Sequence, residues 1–426
     1  MAIMGLTFIV TIVIGLPIAF ALGATGVIHA LSMGDPTLLA MLPQRMYAAT
    51  DSFSLLAIPL FVLAGELMGF GGVTEKLADM ARALIGHIRG GMAYSTVIVG
   101  VFLGALLGSA NAAAALLGKV MHPEMIKDGY DPSFSACLTS ATSILGPIIP
   151  PSMIFIVYGV AANLSIGELF MAGIVPGLLI ALSYFIIIWT TGKRENWKVQ
   201  PKVKLSEVGK SIVKASPALL VPVVILGGIL GGITTPTEAA ASASVVAVIL
   251  GTVVYKKLKW ADIPFILERT GVISASIMII VAMANIMGWT MALDQVPQKI
   301  AEFMLSLTTN KYMLLLLINI FLLLVGMVME TVAAIIILVP VFLPIITAVG
   351  IDPLHFGMVV SINLVIGLIT PPVGVALFTT SIVTKTPLEK MIKPIWVWVG
   401  AAVAVLMVIT YVPDLVTFLP NMIFKH

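Results

Sequence analysis

Two short segments combine helix breaking with free oxygen ligands inside otherwise apolar stretches. They are Gly146-Pro147-Ile148-Ile149-Pro150-Pro151-Ser152 and Gly367-Leu368-Ile369-Thr370-Pro371-Pro372-Val373. Proline has no N–H and drives the residue before it out of the helical region, so each Pro pair frees backbone carbonyls and starts a new helix beyond it. Two companions, Gly108-Ser109-Ala110-Asn111-Ala112 and Gly326-Met327-Val328-Met329-Glu330-Thr331, precede the breaks by about 37 residues. Helices are expected to begin near Ala112, Ser152, Val332 and Val373 and to converge on one level. Their N-termini carry unpaired N–H groups and a positive dipole end, which attract an anion. Freed carbonyls, with Ser109, Asn111 and Thr370, are hard oxygen ligands for a small alkali cation. Sodium fits better than protons, because carboxylates are few. The anion is expected among Ser109, Asn111, Pro150, Ser152, Glu330, Thr331, Pro371 and Val373. No Lys or Arg falls inside the expected helix bundle.

Composition says what holds these segments. Of 426 residues, 60% are hydrophobic and 10% charged, which excludes a soluble globular protein. Apolar runs long enough to cross a bilayer as helices recur throughout, and they are continuous rather than alternating, which disfavours a β-barrel. Full crossings are expected at Leu6 to Leu31, Leu55 to Phe70, Phe134 to Ala162, Leu169 to Thr190, Pro217 to Gly231, Thr237 to Tyr255, Ser274 to Met291, Phe356 to Ile382 and Ile392 to Phe418. With the N-terminus cytoplasmic and the C-terminus periplasmic, only Arg45, Lys299, Lys311 and Lys425 of the 23 Lys and Arg fall outside. The basic stretch Lys193 to Lys214 reads as a solvated anchor. Trp189, Trp260 and Trp398 read as interfacial belt residues. The start of the chain lacks the basic region of a cleaved signal. A lone Cys137 excludes an internal disulfide and reads as packing.

Shifting the chain by 221 residues aligns Pro123 to Pro151 with Pro344 to Pro372, and nine of 29 positions match. Chance would give about one in ten. Most matches are Gly, Pro or Asp, which set backbone geometry, as in Asp131-Pro132 and Asp352-Pro353. Five crossings separate equivalent points, and an odd number inverts the second unit. The expected fold is therefore an all-α polytopic membrane protein of two inverted-topology repeats, 1–212 and 213–426. Each repeat has a re-entrant helical hairpin (about 91–122 and 312–345) and a discontinuous helix (about 133–162 and 354–383). Hairpin tips are expected at Ser109 to Asn111 and Met329 to Thr331, with Pro-bearing connectors at Met121 to Asp131 and Pro340 to Asp352. Amphipathic Val73 to Ile88 and Pro297 to Leu307 fit helices lying in the membrane surface.

Enzyme signatures are missing: no nucleotide loop, metal-protease motif or nucleophile elbow occurs, and nothing implies an organic cofactor or a nucleic acid. His29 reads as a satisfied packing residue, and His122 and His355 as solvated connector residues. Glu238 after Thr234-Thr235-Pro236-Thr237 reads as a helix cap. Glu66 reads as a partner of a backbone group or as a coupling residue. Glu330, at the second tip, suits an ion-site or gating role.

At Gly108-Ser109-Ala110-Asn111, Gly129-Tyr130-Asp131-Pro132, the Gly146 break and Gly367-Leu368-Ile369-Thr370-Pro371-Pro372-Val373-Gly374, the chain resembles the large membrane subunit of the tripartite ATP-independent periplasmic (TRAP) transporters, nearly end to end. In appearance it is nearest the sialic-acid permeases. The resemblance implies a bacterial inner membrane protein and an elevator-type transporter driven by sodium. Its implied partners are a small four-helix membrane subunit and a soluble periplasmic binding protein that delivers an acidic solute, sialic acid or a dicarboxylate. It also implies one sodium site between the first tip (Ser109, Asn111) and the first break (Gly146, Ile149, Pro151). A second would lie between Gly326 and the second break (Gly367, Thr370, Pro372). Ile149 stands where Thr370 stands, so only the second site has a hydroxyl there. Two other readings fit the same breaks: a self-sufficient sodium/anion symporter of similar architecture, and a channel.

Overall fold

The computed structural model describes residues 2–195, 197, 204–308 and 310–424. Among these residues every regular element is helical, and eight helical segments are long and apolar enough to cross a membrane. A ninth is counted if Pro132–Ile148 and Met153–Ala162, bent by 43°, form one span. The architecture is thus the expected all-α polytopic one. Lys425 and residues 196 and 198–203 of the basic stretch lie outside the described residues.

The centre is built from the broken helices. The first consists of α8 (Pro132–Ser143), the short α9 (Leu145–Ile148) and α10 (Met153–Ala162); the second of α18 (Pro353–Gly367) and α19 (Val375–Thr384). Asp131 accepts a hydrogen bond from the Phe134 N–H at 2.9 Å, and Asp352 one from the Leu354 N–H at 2.7 Å. Each is followed by a proline whose missing N–H would have no partner in a first turn. Both Pro150–Pro151 and Pro371–Pro372 are cis. Every residue from Leu354 to Gly367 is buried, so α18 is enclosed on all sides.

Helical hairpins flank this centre. The first pairs α6 (Gly91–Leu107) with α7 (Ala110–Lys127), and the second pairs α16 (Lys311–Val328) with α17 (Thr331–Ala348). The Thr96 hydroxyl near the start of α6 meets the Met125 sulfur near the end of α7 at 3.4 Å, so the arms fold back on each other. In the second hairpin Phe321 and Phe342 meet edge to face at 5.8 Å. Contacts cross between the halves: α7 packs on α19, and α10 packs on α17. Tyr158 of α10 donates to the Pro353 carbonyl at the start of α18, at 2.7 Å. Lipid gives helices no hydrophobic reason to associate, so close packing through small residues must hold them. Gly357 lies under the Tyr158 ring, and Gly326 lies against Leu364 and Gly367.

The remaining helices surround this core. They are α1 (Ala2–Val13), α2 (Ile18–Ser32), α3 (Pro36–Thr50), α4 (Ala57–Phe70), α5 (Val73–Ile85), α11 (Ile166–Glu195), α12 (Leu205–Leu230), α13 (Pro236–Ile249), α14 (Ile263–Leu293), α15 (Val296–Leu307), α20 (Leu388–Tyr411) and α21 (Asp414–Phe424). The amphipathic α5 packs against α6 and α12, and α15 packs against α17, so each touches a hairpin. Of the apolar face expected over Val73 to Ile88, Val73, Leu77 and Met80 are buried, beside Thr74, Ala78, Ala81 and Ala83, while Leu84 and Ile88, the latter beyond α5, are exposed from the protein.

Several expectations need correction. Leu6 to Leu31 is two helices, because Gly15 takes a left-handed φ of 86° and Pro17 cannot continue α1. Ile392 to Phe418 likewise divides before Pro413. The connectors at Met121 and Pro340 are helical: α7 runs through Pro123 to Lys127, and α17 through Pro340 and Pro344 to Ala348. A proline removes one helical bond, and Pro123, Pro340 and Pro344 all stand at exposed positions of helices buried along other faces. His122 and His355 are buried rather than solvated; His122 Nδ1 lies 2.9 Å from the Ser135 hydroxyl, and His355 Nε2 lies 2.8 Å from the Ile409 carbonyl. Trp398 is not a belt residue. It is buried in mid-helix, with Tyr184 edge-on at 5.3 Å. Trp189 and Trp260 are exposed as belt residues should be.

Candidate substrate and ion site

Four polar residues of the two hairpins converge on one cavity of about 280 Å³. Ser109 and Asn111 reach it from the first tip, Glu330 and Thr331 from the second, and Pro147, Met153, Leu368 and Val375 from the breaks. A stripe of α14, including Ser276 and Ile280, closes it. Among the described residues no Lys or Arg lines it, and Glu330 is the one ionisable residue that does.

Local chemistry explains why the chain turns there. Gly108 takes a φ of 59°, which a Cβ would strain, and Ser109 caps α7 by accepting from the Ala112 N–H at 3.5 Å. Glu330 caps α17, its carboxylate accepting from the Ala333 N–H at 3.0 Å. The tips are therefore Gly108-Ser109 and Met329-Glu330, and Asn111 and Thr331 already belong to helices. Ser152 caps α10, accepting from the Phe155 N–H at 3.4 Å, and its hydroxyl donates to the Pro147 carbonyl. The fourth helix, α19, starts after Gly374. Four helix N-termini thus meet at the breaks and tips, as their spacing predicts.

Each tip touches its own break. A Cβ on Gly146 would lie 3.1 Å from the Ser109 carbonyl oxygen and 3.2 Å from the Ala113 Cβ. Gly108 approaches the Pro151 carbonyl comparably closely. A Cβ on Gly326 would lie closer still to Leu364, 2.9 Å from its carbonyl oxygen, and 3.3 Å from the Gly367 Cα. So Ser109, Gly146 and Pro151 come together, as do Gly326 and Gly367. Thr370 is fully buried and its hydroxyl donates to the Ile366 carbonyl at 2.7 Å. Ile149 is extended at the first break. Pro150, Ser152, Pro371 and Val373 are not among the cavity's lining residues, and Val373 is exposed.

Sequence reasoning missed a second polar layer. One helical turn before Gly146 and Gly367 stand Thr142 and Asn363, which the 221-residue shift places in register. Both are completely buried, and Thr142 Oγ1 and Asn363 Oδ1 have no hydrogen-bond partner; nor do the hydroxyls of Ser140 and Ser361, also in register. The Asn363 amide donates to Asn319 Oδ1 at 2.7 Å, and Asn319 donates to Thr410 at 3.1 Å. Ser140 with Ser361 is already one of the nine matches, and extending the comparison from identities to paired polar positions would have found Thr142 with Asn363 as well. Outside the cavity, Glu66 pairs with the Arg269 guanidinium at 3.4 Å rather than with backbone. Arg269 lies on α14, before the stretch expected to cross. His29 Nε2 lies 3.0 Å from Asp294 Oδ2, and Glu238 and Thr235 form the expected capping box.

Broken helices, hairpin tips and a cavity at their meeting point, in a chain whose described residues include eight helices long and apolar enough to cross a membrane, define a multi-pass membrane transporter. Residues 6–415 match the family model described as the DctM component of the tripartite ATP-independent periplasmic transporters, and the chain belongs to that family. It is 41% identical over 413 residues to the isethionate TRAP transporter permease DctMQ of Oleidesulfovibrio alaskensis, covering 96% of this chain but 65% of that longer one. It is 39% identical to the Pseudomonas aeruginosa C4-dicarboxylate large permease, covering 94% of each chain. It is 37% identical to the Vibrio cholerae sialic acid large permease, covering 96% and 95%. These are transporter permeases, not enzymes. Among solved structures the Alcanivorax borkumensis YdaH transporter shares the fold, with a TM-score of 0.66, 15% identity and 88% of each chain covered.

Proposed function

We propose that this chain is the large membrane component of a sodium-coupled importer for an acidic solute handed over by a periplasmic binding protein. The observation that carries this reading is the cavity at the meeting point of two hairpin tips and two helix breaks. Its polar groups are helix N-termini, Ser109, Asn111, Ser276, Thr331 and the Glu330 carboxylate. An anion is attracted by the N-termini and repelled by Glu330, which no lining Lys or Arg offsets. A cation bound beside the tips supplies the missing positive charge, which couples ion to solute. The buried, unpartnered oxygens of Thr142 and Asn363, one turn before each break, fit two such cation sites. The first would draw on Ser109, Asn111, Gly146, Ile149 and Pro151. The second would draw on Gly326, Gly367, Thr370 and Pro372.

The crossed packing of α7 on α19 and α10 on α17 supports two repeats of opposite orientation. The core they form would move as an elevator against α14 and its neighbours, with the N-terminus cytoplasmic. A small four-helix membrane subunit would complete the scaffold. The related permeases are named for isethionate, C4-dicarboxylates and sialic acid, all acids, and similar identities of 41%, 39% and 37% do not choose among them.

The test is uptake into proteoliposomes holding this chain and its small membrane partner, with the cognate binding protein outside and each acid in turn. The expected result is accumulation of one acid that needs both an inward sodium gradient and the binding protein. Equal uptake without the sodium gradient would overturn the coupling, and equal uptake without the binding protein would favour a self-sufficient symporter.

A further inference from the structure

A second cavity, of about 390 Å³, continues the first along three shared helices. Helix α10 contributes Met153 and Ile154 to the first cavity and Val157 to the second. Helix α17 contributes Val332 and then Ile336, and α14 contributes Ile280 and then Asn285. In each case the step runs three to five residues toward the helix C-terminus, so the second cavity begins roughly one turn, about 5–8 Å, beyond the first.

It is also lined by α3, a helix that the crossings leave unexplained. From it Arg45 reaches into the cavity and lies over the Trp289 ring, with Cζ 5.1 Å from the centroid. Among the described residues Arg45 has no carboxylate within ion-pair reach. It is also the one Lys or Arg lining either cavity. Asn285 offers an amide beside it, and the rest of the lining is mostly apolar. A guanidinium pinned on an aromatic face, with its donor edge free, is a preorganised partner for a carboxylate.

We infer that this cavity is an outer waiting site for the transported acid, in which Arg45 and Asn285 hold its carboxylate before it passes to the hairpin-tip cavity. The inference rests on the reading above that the solute is an acid. It gives the solute a fixed positive charge early, where the tip cavity has none. Apolar walls from α10 and α17 on one side and α14 on the other make the site depend on both the core and its surround.

The experiment is uptake kinetics of the complete reconstituted assembly for the acid it transports best, drawn from succinate, sialic acid and isethionate. Arg45→Gln is expected to raise KM about tenfold or more with Vmax within about twofold, and Asn285→Leu to raise KM less. Arg45→Lys, which keeps the charge but loses the fork, recovers part of the loss. A KM for Arg45→Gln within about twofold of wild type would overturn the inference. So would a defect seen only in vesicles containing phosphatidylglycerol and absent in phosphatidylcholine, which would identify an anionic lipid headgroup site. A wild-type assembly that takes up none of the acids refutes the functional reading itself, and this inference with it. Tryptophan fluorescence is independent of transport: the same acid should change the emission of wild type but not of Trp289→Phe. No Trp289-dependent change would refute the site even if Arg45→Gln fails to assemble.

Discussion

Substituting Gly326 by alanine tests the close approach of the second hairpin to its break. A Cβ there would sit 2.9 Å from the Leu364 carbonyl oxygen, 3.0 Å from the Leu364 Cα and 3.3 Å from the Gly367 Cα. These are backbone atoms of a helix buried on every side, so they cannot rotate away as a side chain would. The arm α16 must shift outward by a few tenths of an ångström, and overpacking of this kind costs about 1–3 kcal/mol. That cost falls where a cation would bind between Gly326 and Gly367. If it is taken wholly from ion binding, the sodium concentration for half-maximal uptake rises about 5- to 150-fold. The assay is sodium-activated uptake in proteoliposomes beside the unfolding temperature in detergent. Two controls separate the site from general packing. Gly400→Ala on α20, where the new Cβ meets nothing within 4 Å, should be neutral or slightly stabilising. Gly146→Ala, whose nearest contacts are 3.1 and 3.2 Å, should show a smaller effect than Gly326→Ala. Unchanged stability and unchanged sodium activation in Gly326→Ala would refute the close packing and the site together.

Other substitutions probe separate claims. Thr370→Ala removes the hydroxyl of the second break and should weaken sodium activation several-fold while leaving solute KM at saturating sodium nearly unchanged; identical sodium curves would remove Thr370 from the ion site. Asn363→Leu strands the Asn319 side-chain oxygen in a buried setting and should cost about 1–3 kcal/mol of stability, whereas Asn319→Leu combined with Asn363→Leu should cost less than the two single changes added. Thermal unfolding of the three variants decides it, and strict additivity would count against a shared network. Trp398→Ala should cost about 3–5 kcal/mol because it empties a buried site between Tyr184 and Phe134, while Trp260→Ala should change stability little. Equal effects would restore Trp398 to the interfacial belt.

Much of this protein is determined locally, and the sequence alone determined that part. Sixty per cent apolar composition in continuous runs leaves membrane helices as the one way to satisfy the backbone. Prolines at 150, 151, 371 and 372 remove N–H donors wherever they stand, so both breaks follow from their neighbours along the chain. The Ser109 and Glu330 caps are likewise short-range, and so are the Asp131-Pro132 and Asp352-Pro353 starts. Family membership rests on the same motifs.

What tertiary structure decided depends on which faces meet. Pro123, Pro340 and Pro344 read as stops but lie within helices, each at an exposed position of a helix whose other residues are held by the packed core. Burial of His122, His355 and Trp398 could not be read from their positions in the sequence, because exposure is a property of the neighbours. The same holds for the Arg269 partner of Glu66, 203 residues away, and for Arg45 over Trp289. The convergence of both tips on one cavity is a matter of tertiary packing too: sequence sets where each helix starts, but only the crossed packing of the two halves brings those starts together.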